Sequence, residues 1–199
     1  SFGRANAEEA KRRFGSNVSA LTGHGLAYRA LGHQFQNRLV GTWRPREISE
    51  ALGVENRMGA CIGRTLNSFS SSTDRDINAT HLQAVRDWGL TDDEEGYVVE
   101  QARGAWRKII APGSTLPVTH DTYLKLWSMQ DPKLDYDCII LDEAQDTNPL
   151  TERLVLAQLD HARLLCIGDR HQSIFGFRGA TNAMQNLRMI NGSRVVTMP

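Results

Sequence analysis

Asp142 and Glu143 stand directly after the apolar run CIIL at 138–141. Four consecutive apolar residues read as a strand buried on both faces of a parallel sheet. Ligands bind beyond the carboxyl ends of such strands. Adjacent carboxylates there have complementary uses. One holds a magnesium ion, largely through water, and the other accepts a proton from a water attacking a phosphoryl group. A strand that merely ends in acidic turn residues has the same local sequence, so the pair gains meaning only from its surroundings. Those surroundings include LLCIGDRHQSIFGFRGA at 164–180, which repeats the plan: an apolar strand, then Gly168, Asp169 and a polar loop with Gln172. Two such strands side by side would bring the Gln172 amide close to Glu143, where it could sense a terminal phosphate or orient water. Phe175, Phe177 and Arg178 follow, two aromatics and a cation able to stack on bases or meet a phosphate. A hydrophobic plug beside a salt bridge is the equal alternative for these three.

The elements that must position these groups form the last third of the chain. RLLCIG (163–168) reads as a second buried strand and SRVVTM (193–198) as a third, with Cys138 and Cys166 as core residues inside their strands. NPLTERLVLAQL lies between the first two as a helix, with Asn148 as its N-cap and Pro149 at its first position. Strand, helix, strand is the mark of an α/β layer fold. Residues 1–33 read as helix (NAEEAKRRF), a β-compatible run (NVSALT), then a helix carrying Leu26, Tyr28, Leu31 and, just beyond, Phe35. Residues 34–133 read as mostly helical. Pro45 opens REISEALG, which stops at Gly53; SFSSSTD (68–74) reads as a flexible loop. THLQAVRDWG sets Leu82, Val85 and Trp88 three apart, and Thr91 with Glu94 has capping-box spacing before an acidic first turn. That helix is expected to reach Ile110 and to be closed by APGSTLP, with THDTYLKLWSMQ as one more helix broken at Asp131-Pro132. His81 and His120 read as surface or packing residues, and Met184, Met189 and Met198 as gap fillers.

Composition bounds the rest. The 199 residues are 40% hydrophobic and 23% charged, ordinary for a globular chain. Three cysteines without a CxxC pair exclude a disulfide scaffold and give no zinc signature. No apolar stretch is long enough to span a bilayer, and no charged leader precedes an apolar block, so an intracellular protein rather than a secreted one is expected, without membrane partners. Net charge is zero yet unevenly spread: residues 1–46 hold eight Lys/Arg against two Asp/Glu. That basic stretch is compatible with a polyanion partner, but on charge alone a few solvated helix faces are the favoured reading.

Taken together, the motifs resemble a known family. IILDEAQDTNP is similar to motif II, and IGDRHQSIFGFRGA to motif III, of the UvrD/Rep-like superfamily 1 DNA helicases. LTGHGLAYR looks like their motif Ib, with Gly23 where an aromatic normally stands, and FGRANAEEAKRRF resembles motif Ia with the helix after it. THDTYLKLW, just upstream of motif II, looks like the F-box DNA helicase branch. The resemblance implies a partial RecA-like parallel sheet of the P-loop NTPase type: residues 1–33 and 134–199 from domain 1A, and 34–133 as a helical 1B-like insertion. It implies ATP and Mg2+ as cofactors, with Asp142 and Glu143 at the magnesium ion and Asp142 and Gln172 at the nucleotide. Glu143 is implied as catalytic base and Gln172 as the catalytic residue that couples the γ-phosphate to DNA. It further implies that Phe2, Thr22, His24, Phe175, Phe177 and Arg178 line a track for single-stranded DNA, with single-strand/duplex junctions as substrates. A cytoplasmic site in a bacterium or a nuclear one in a eukaryote goes with that reading.

No GxxxxGK[ST] sequence, and not even a Gly-Lys dipeptide, occurs in the 199 residues. A phosphate-cradling loop with its lysine is therefore expected outside this stretch. The 199 residues alone are expected not to hydrolyse ATP, whereas a parent carrying that loop is expected to be an ATP-driven helicase moving 3′ to 5′. A non-catalytic DNA-binding or protein-interaction module derived from a helicase is the alternative.

Overall fold

Among the described residues helices outweigh strands, and the strands are short and paired in parallel. The computed structural model describes residues 4–169 and 183–196. In chain order the elements are α1 (Arg4–Arg13), α2 (Gly23–Ala30), β1 (Leu39–Val40), α3 (Pro45–Leu52), α4 (Asn56–Ser71) and α5 (Asp92–Ile110). They continue with β2 (Val118–Thr119), α6 (His120–Ser128), β3 (Cys138–Leu141), α7 (Pro149–Leu156), β4 (Arg163–Cys166) and α8 (Ala183–Arg188). Turns of 3₁₀ helix lie at Gly32–Arg38, Ala79–Trp88 and Ala144–Asp146. Two units separate: one from Ser1–Leu26 and Gln130–Pro199, the other Ala27–Met129. Among the described residues the sheets are the pairs β1–β2 and β3–β4. Mixed helix and strand with small parallel sheets is consistent with a partial α/β domain.

The Ala27–Met129 unit is helical because its apolar residues recur at helical spacing. Ile62, Leu66 and Phe69 on α4, with Val98, Ala102, Trp106 and Ile109 on α5, form its core. Burying each large side chain contributes about 1.5–3 kcal/mol. Pro45 starts α3 and Gly53, at φ 69°, ends it in the left-handed conformation that glycine adopts without strain. The Thr91 hydroxyl accepts from the Glu94 amide at 3.3 Å, and the Glu94 carboxylate accepts from the Thr91 amide at 2.8 Å, so α5 begins with the expected capping box.

Three local expectations for this unit fail for packing reasons. Residues 68–71 are the end of α4 rather than loop, because Phe69 completes the buried stripe begun by Ile62 and Leu66. Residues 79–88 form 3₁₀ rather than α-helix. Leu82, Val85 and Trp88, three apart, stack on one face only at three residues per turn. The helix expected to carry Phe35 ends at Ala30, and the chain tightens at Gly32, where a Cβ would stand 2.9 Å from the Tyr28 ring. His81 is fully packed, edge-on to Phe69 with centroids 5.4 Å apart.

In the other unit, β3 and β4 run in parallel register from Cys138 opposite Arg163 to Leu141 opposite Cys166. Helix α7 starts as expected, the Asn148 side chain accepting from the Thr151 amide at 2.8 Å with Pro149 at its first position. Leu141, Ala144 and Val155 pack together, joined by Ile139, Leu164 and Cys166 from one face of the strand pair. Burial pushes the Cys166 thiol up to about 11, with Glu152 adding to the effect. The opposite face is open: Cys138 is exposed, as are Ile140 (55%) and Leu165 (51%). The expectation of two strands buried on both faces, with Cys138 in the core, is therefore corrected, since described residues cover one side only. Nor do 17–22 form a strand. Val18 is 40% exposed, and the only strands of this unit pair with each other among the described residues. Residues 193–196, the described part of SRVVTM, are likewise not a strand, and Val196 and Met189 are both 85% exposed, so Met189 fills no gap.

Candidate active site

The turn after β3 is fastened to the end of β4 by backbone hydrogen bonds. The Ile167 amide donates to the Leu141 carbonyl and the Ala144 amide to the Ile167 carbonyl, each at 2.9 Å. These two bonds bracket Asp142 and Glu143, so both carboxylates leave the sheet at its carboxyl edge. Glu143 sits at φ 53°, ψ 45°, the left-handed region that a non-glycine residue occupies at a cost of about 1–3 kcal/mol. It is the point where the strand turns into the Ala144–Asp146 helical turn. Backbone strain of this kind concentrates where side-chain direction matters.

Asp142 and Glu143 are both half-buried, neither sealed from water nor free in it. The Glu143 carboxylate accepts from the Gln145 amide nitrogen at 2.7 Å. The Gln145 carbonyl in turn accepts from the Asp169 backbone amide at 3.1 Å. Gln145 is 3% exposed, and its side chain connects the end of one strand to the segment leaving the other. Sequence reasoning missed this residue. The available signal was a polar residue two positions beyond the acidic pair, inside a stretch that otherwise buries Ala144, Asp146 and Thr147.

Thr22 and His24 lie at the start of α2. The Thr22 hydroxyl accepts from the Gly25 amide at 2.9 Å, so it caps the helix. Between them, a Cβ on Gly23 would stand 3.1 Å from the Thr151 hydroxyl of α7, which gives a local reason for a small residue at this place. Phe2, Gln172, Phe175, Phe177 and Arg178 lie outside the described residues. The structure therefore brings Asp142 and Glu143 together and leaves the expected approach of Gln172 unaddressed.

As a cation site, the pair offers hard oxygen donors only. Among the described residues no group of three or more His, Cys, Asp or Glu could hold a metal. That donor set fits Mg2+, which takes one or two carboxylates and completes its shell with water and phosphate oxygens, better than it fits zinc.

The structure thus presents a parallel strand pair with two adjacent carboxylates at its carboxyl edge, and known proteins share its sequence pattern. Residues 118–189 match the UvrD/REP helicase N-terminal domain. The chain is 31% identical over 205 residues to F-box DNA helicase 1 of Gallus gallus, covering 92% of this chain and 20% of that protein. It is 32% identical over 205 residues to F-box DNA helicase protein 1 of Schizosaccharomyces pombe, covering 90% and 23%. Over residues 118–189, and along most of its length at about 31% identity, the chain is thus similar to UvrD-like helicases. It spans about a fifth of the length of the curated relatives it matches. No helix among the described residues is long and apolar enough to cross a membrane.

Proposed function

We propose that this chain is part of the motor of an ATP-dependent DNA helicase, in which ATP hydrolysis drives 3′ to 5′ movement on single-stranded DNA and unwinding at junctions. The observation that carries the reading is Glu143. A strained, half-buried carboxylate at the edge of a parallel strand pair, held by a buried amide and adjacent to a second carboxylate, has the makings of a general base beside a cation ligand. Residues 1–33 and 134–199 are read as RecA-like domain 1A of P-loop NTPase type and 34–133 as a 1B-like insertion. The helical unit Ala27–Met129 supports an insert of about that extent.

In this mechanism Asp142 holds the magnesium ion of bound ATP. That ion supplies charge neutralisation to the phosphate oxygens. Glu143 orients the attacking water and takes its proton. Gln172 links the nucleotide to DNA, and Phe2, Thr22, His24, Phe175, Phe177 and Arg178 line the strand. Thr22 does so from the cap of α2, where its hydroxyl already fixes the helix start.

The test is Glu143→Gln in the full-length protein, assayed for ATP hydrolysis stimulated by single-stranded DNA. Turnover is expected to fall on the order of a hundredfold or more while nucleotide binding persists. Turnover within twofold of wild type overturns the reading and leaves the non-catalytic module. The 199 residues alone, which contain no GxxxxGK[ST] loop, are expected neither to bind ATP tightly nor to hydrolyse it.

A further inference from the structure

We infer that Gln145 is a positioning residue, whose side chain aims the Glu143 carboxylate and ties that aim to the segment leaving β4. The inference rests on the reading of Glu143 as the base. A buried amide is costly unless both of its ends are hydrogen-bonded. Gln145 uses its two ends on the segments that follow two different strands: its nitrogen donates to Glu143 at 2.7 Å, and its oxygen accepts from the Asp169 amide at 3.1 Å.

Only one assignment of the amide satisfies both partners. A carboxylate accepts and a backbone N–H donates, so the nitrogen must face Glu143 and the oxygen Asp169. The side chain is nine-tenths buried or more, so water cannot readily take over either bond. The residue itself is anchored, because the neighbouring Ala144 and Asp146 amides donate to the carbonyls of Ile167 and Glu143 at 2.9 and 3.0 Å. A displacement of Asp169 therefore strains or breaks the bond that holds the Gln145 amide in line with the carboxylate of Glu143. Glu143 retains partial solvent access, so loss of the bond leaves it free to hydrate and swing away from the direction that the strained backbone sets. The predicted consequence is loss of catalytic rate without loss of nucleotide affinity, since among the described residues the Gln145 side chain bonds Glu143 and the Asp169 amide rather than the cation ligand Asp142.

The two ends of the amide can be removed separately. Gln145→Glu keeps an oxygen to accept from Asp169 and replaces the donor to Glu143 with an acceptor. Gln145→Met keeps the volume and removes both. In the 199-residue chain, exchange of the Asp169 amide with solvent deuterium is expected to stay within about threefold of wild type in Gln145→Glu and to accelerate about tenfold or more in Gln145→Met. In the full-length protein, both variants are expected to lower kcat for DNA-stimulated ATP hydrolysis about tenfold or more, with KM for ATP within about twofold. Wild-type kcat in either folded variant, or a change confined to KM, overturns the inference. Glu143→Gln run alongside separates the two readings. If that variant is inactive while the Gln145 variants turn over normally, the positioning role fails; if Glu143→Gln itself is active, the base assignment fails.

Discussion

The ammonium of Lys125 lies 4.1 Å from the centre of the Phe69 ring, inside the helical unit, with the lysine fully buried. The same nitrogen donates to the Ser72 carbonyl at 2.7 Å and to the Asp74 carbonyl. One cation thus holds the end of α4, the loop after it and α6 together. Lys125→Met preserves the stem volume and leaves both carbonyls without their donor. Each unsatisfied buried acceptor costs about 1–3 kcal/mol, so a loss of about 2–4 kcal/mol is expected in urea unfolding of the 199-residue chain. A change below about 0.5 kcal/mol would show that the loop is held by other means.

Gly59 permits the close crossing of α3 and α4. A Cβ there would stand 2.1 Å from the Ser49 hydroxyl and 2.8 Å from the Pro45 carbonyl, which is backbone and cannot rotate away. Gly59→Ala is expected to destabilise by about 1–3 kcal/mol, as overpacking does. Ser49→Ala removes one of the two obstacles, so the double variant should lose less than the sum of the singles. Strict additivity in the cycle would place the strain elsewhere.

Local signals were legible where a residue's role depends on its own neighbours in sequence. Thr91 with Glu94, Asn148 with Pro149, and Gly53 each act within one helical turn, and each does what its type and spacing imply. The carboxylate pair at the end of β3 was readable for the same reason. What could not be read were facts set by distant partners. CIIL has the composition of a strand covered on both sides, but coverage is decided by what packs against it, and Ile140 faces solvent. Ser68 to Ser71 look like loop by composition, yet Phe69 draws them into the helix. Gln145 resembles any polar turn residue until Asp169, 24 positions away, supplies its second partner.

The one-sided cover of β3 makes neighbouring residues respond oppositely to substitution. Leu141 is 7% exposed and packs with Ala144 and Val155, so Leu141→Ala should cost about 2–4 kcal/mol in the 199-residue chain. Ile140 points the other way, and Ile140→Thr keeps the β-branched shape, so a change within about 0.5 kcal/mol is expected. Equal losses in thermal or urea unfolding would mean that the outer face is covered in solution.

Two histidines give the two units opposite responses to pH. His81 is buried, its Nδ1 accepting from the Asn78 amide at 3.0 Å and its Nε2 lying 3.2 Å from an Asp74 carboxylate oxygen. Burial is the largest influence and holds its imidazole below the ordinary 6.5. The unfolded chain then binds a proton that the folded unit resists, so stability is complete above about pH 6.5 and falls as pH drops through the folded value. His161 reverses the sign. Its Nδ1 faces Asp160 and its Nε2 lies 2.9 Å from the Leu134 carbonyl, two acceptors that favour the doubly protonated ring. The bond to Asp160, reinforced by the Leu134 carbonyl, raises its value above 6.5. Its stabilisation is therefore complete below about pH 6.5 and is lost as pH rises through the folded value. Residue-resolved hydrogen exchange across about pH 5 to 8 should show protection around Phe69 weakening at the acid end and protection around Leu134 weakening at the alkaline end. His81→Gln should flatten the first response and His161→Gln the second. If both regions moved in the same direction with pH, the environments of these two rings would have to be other than described.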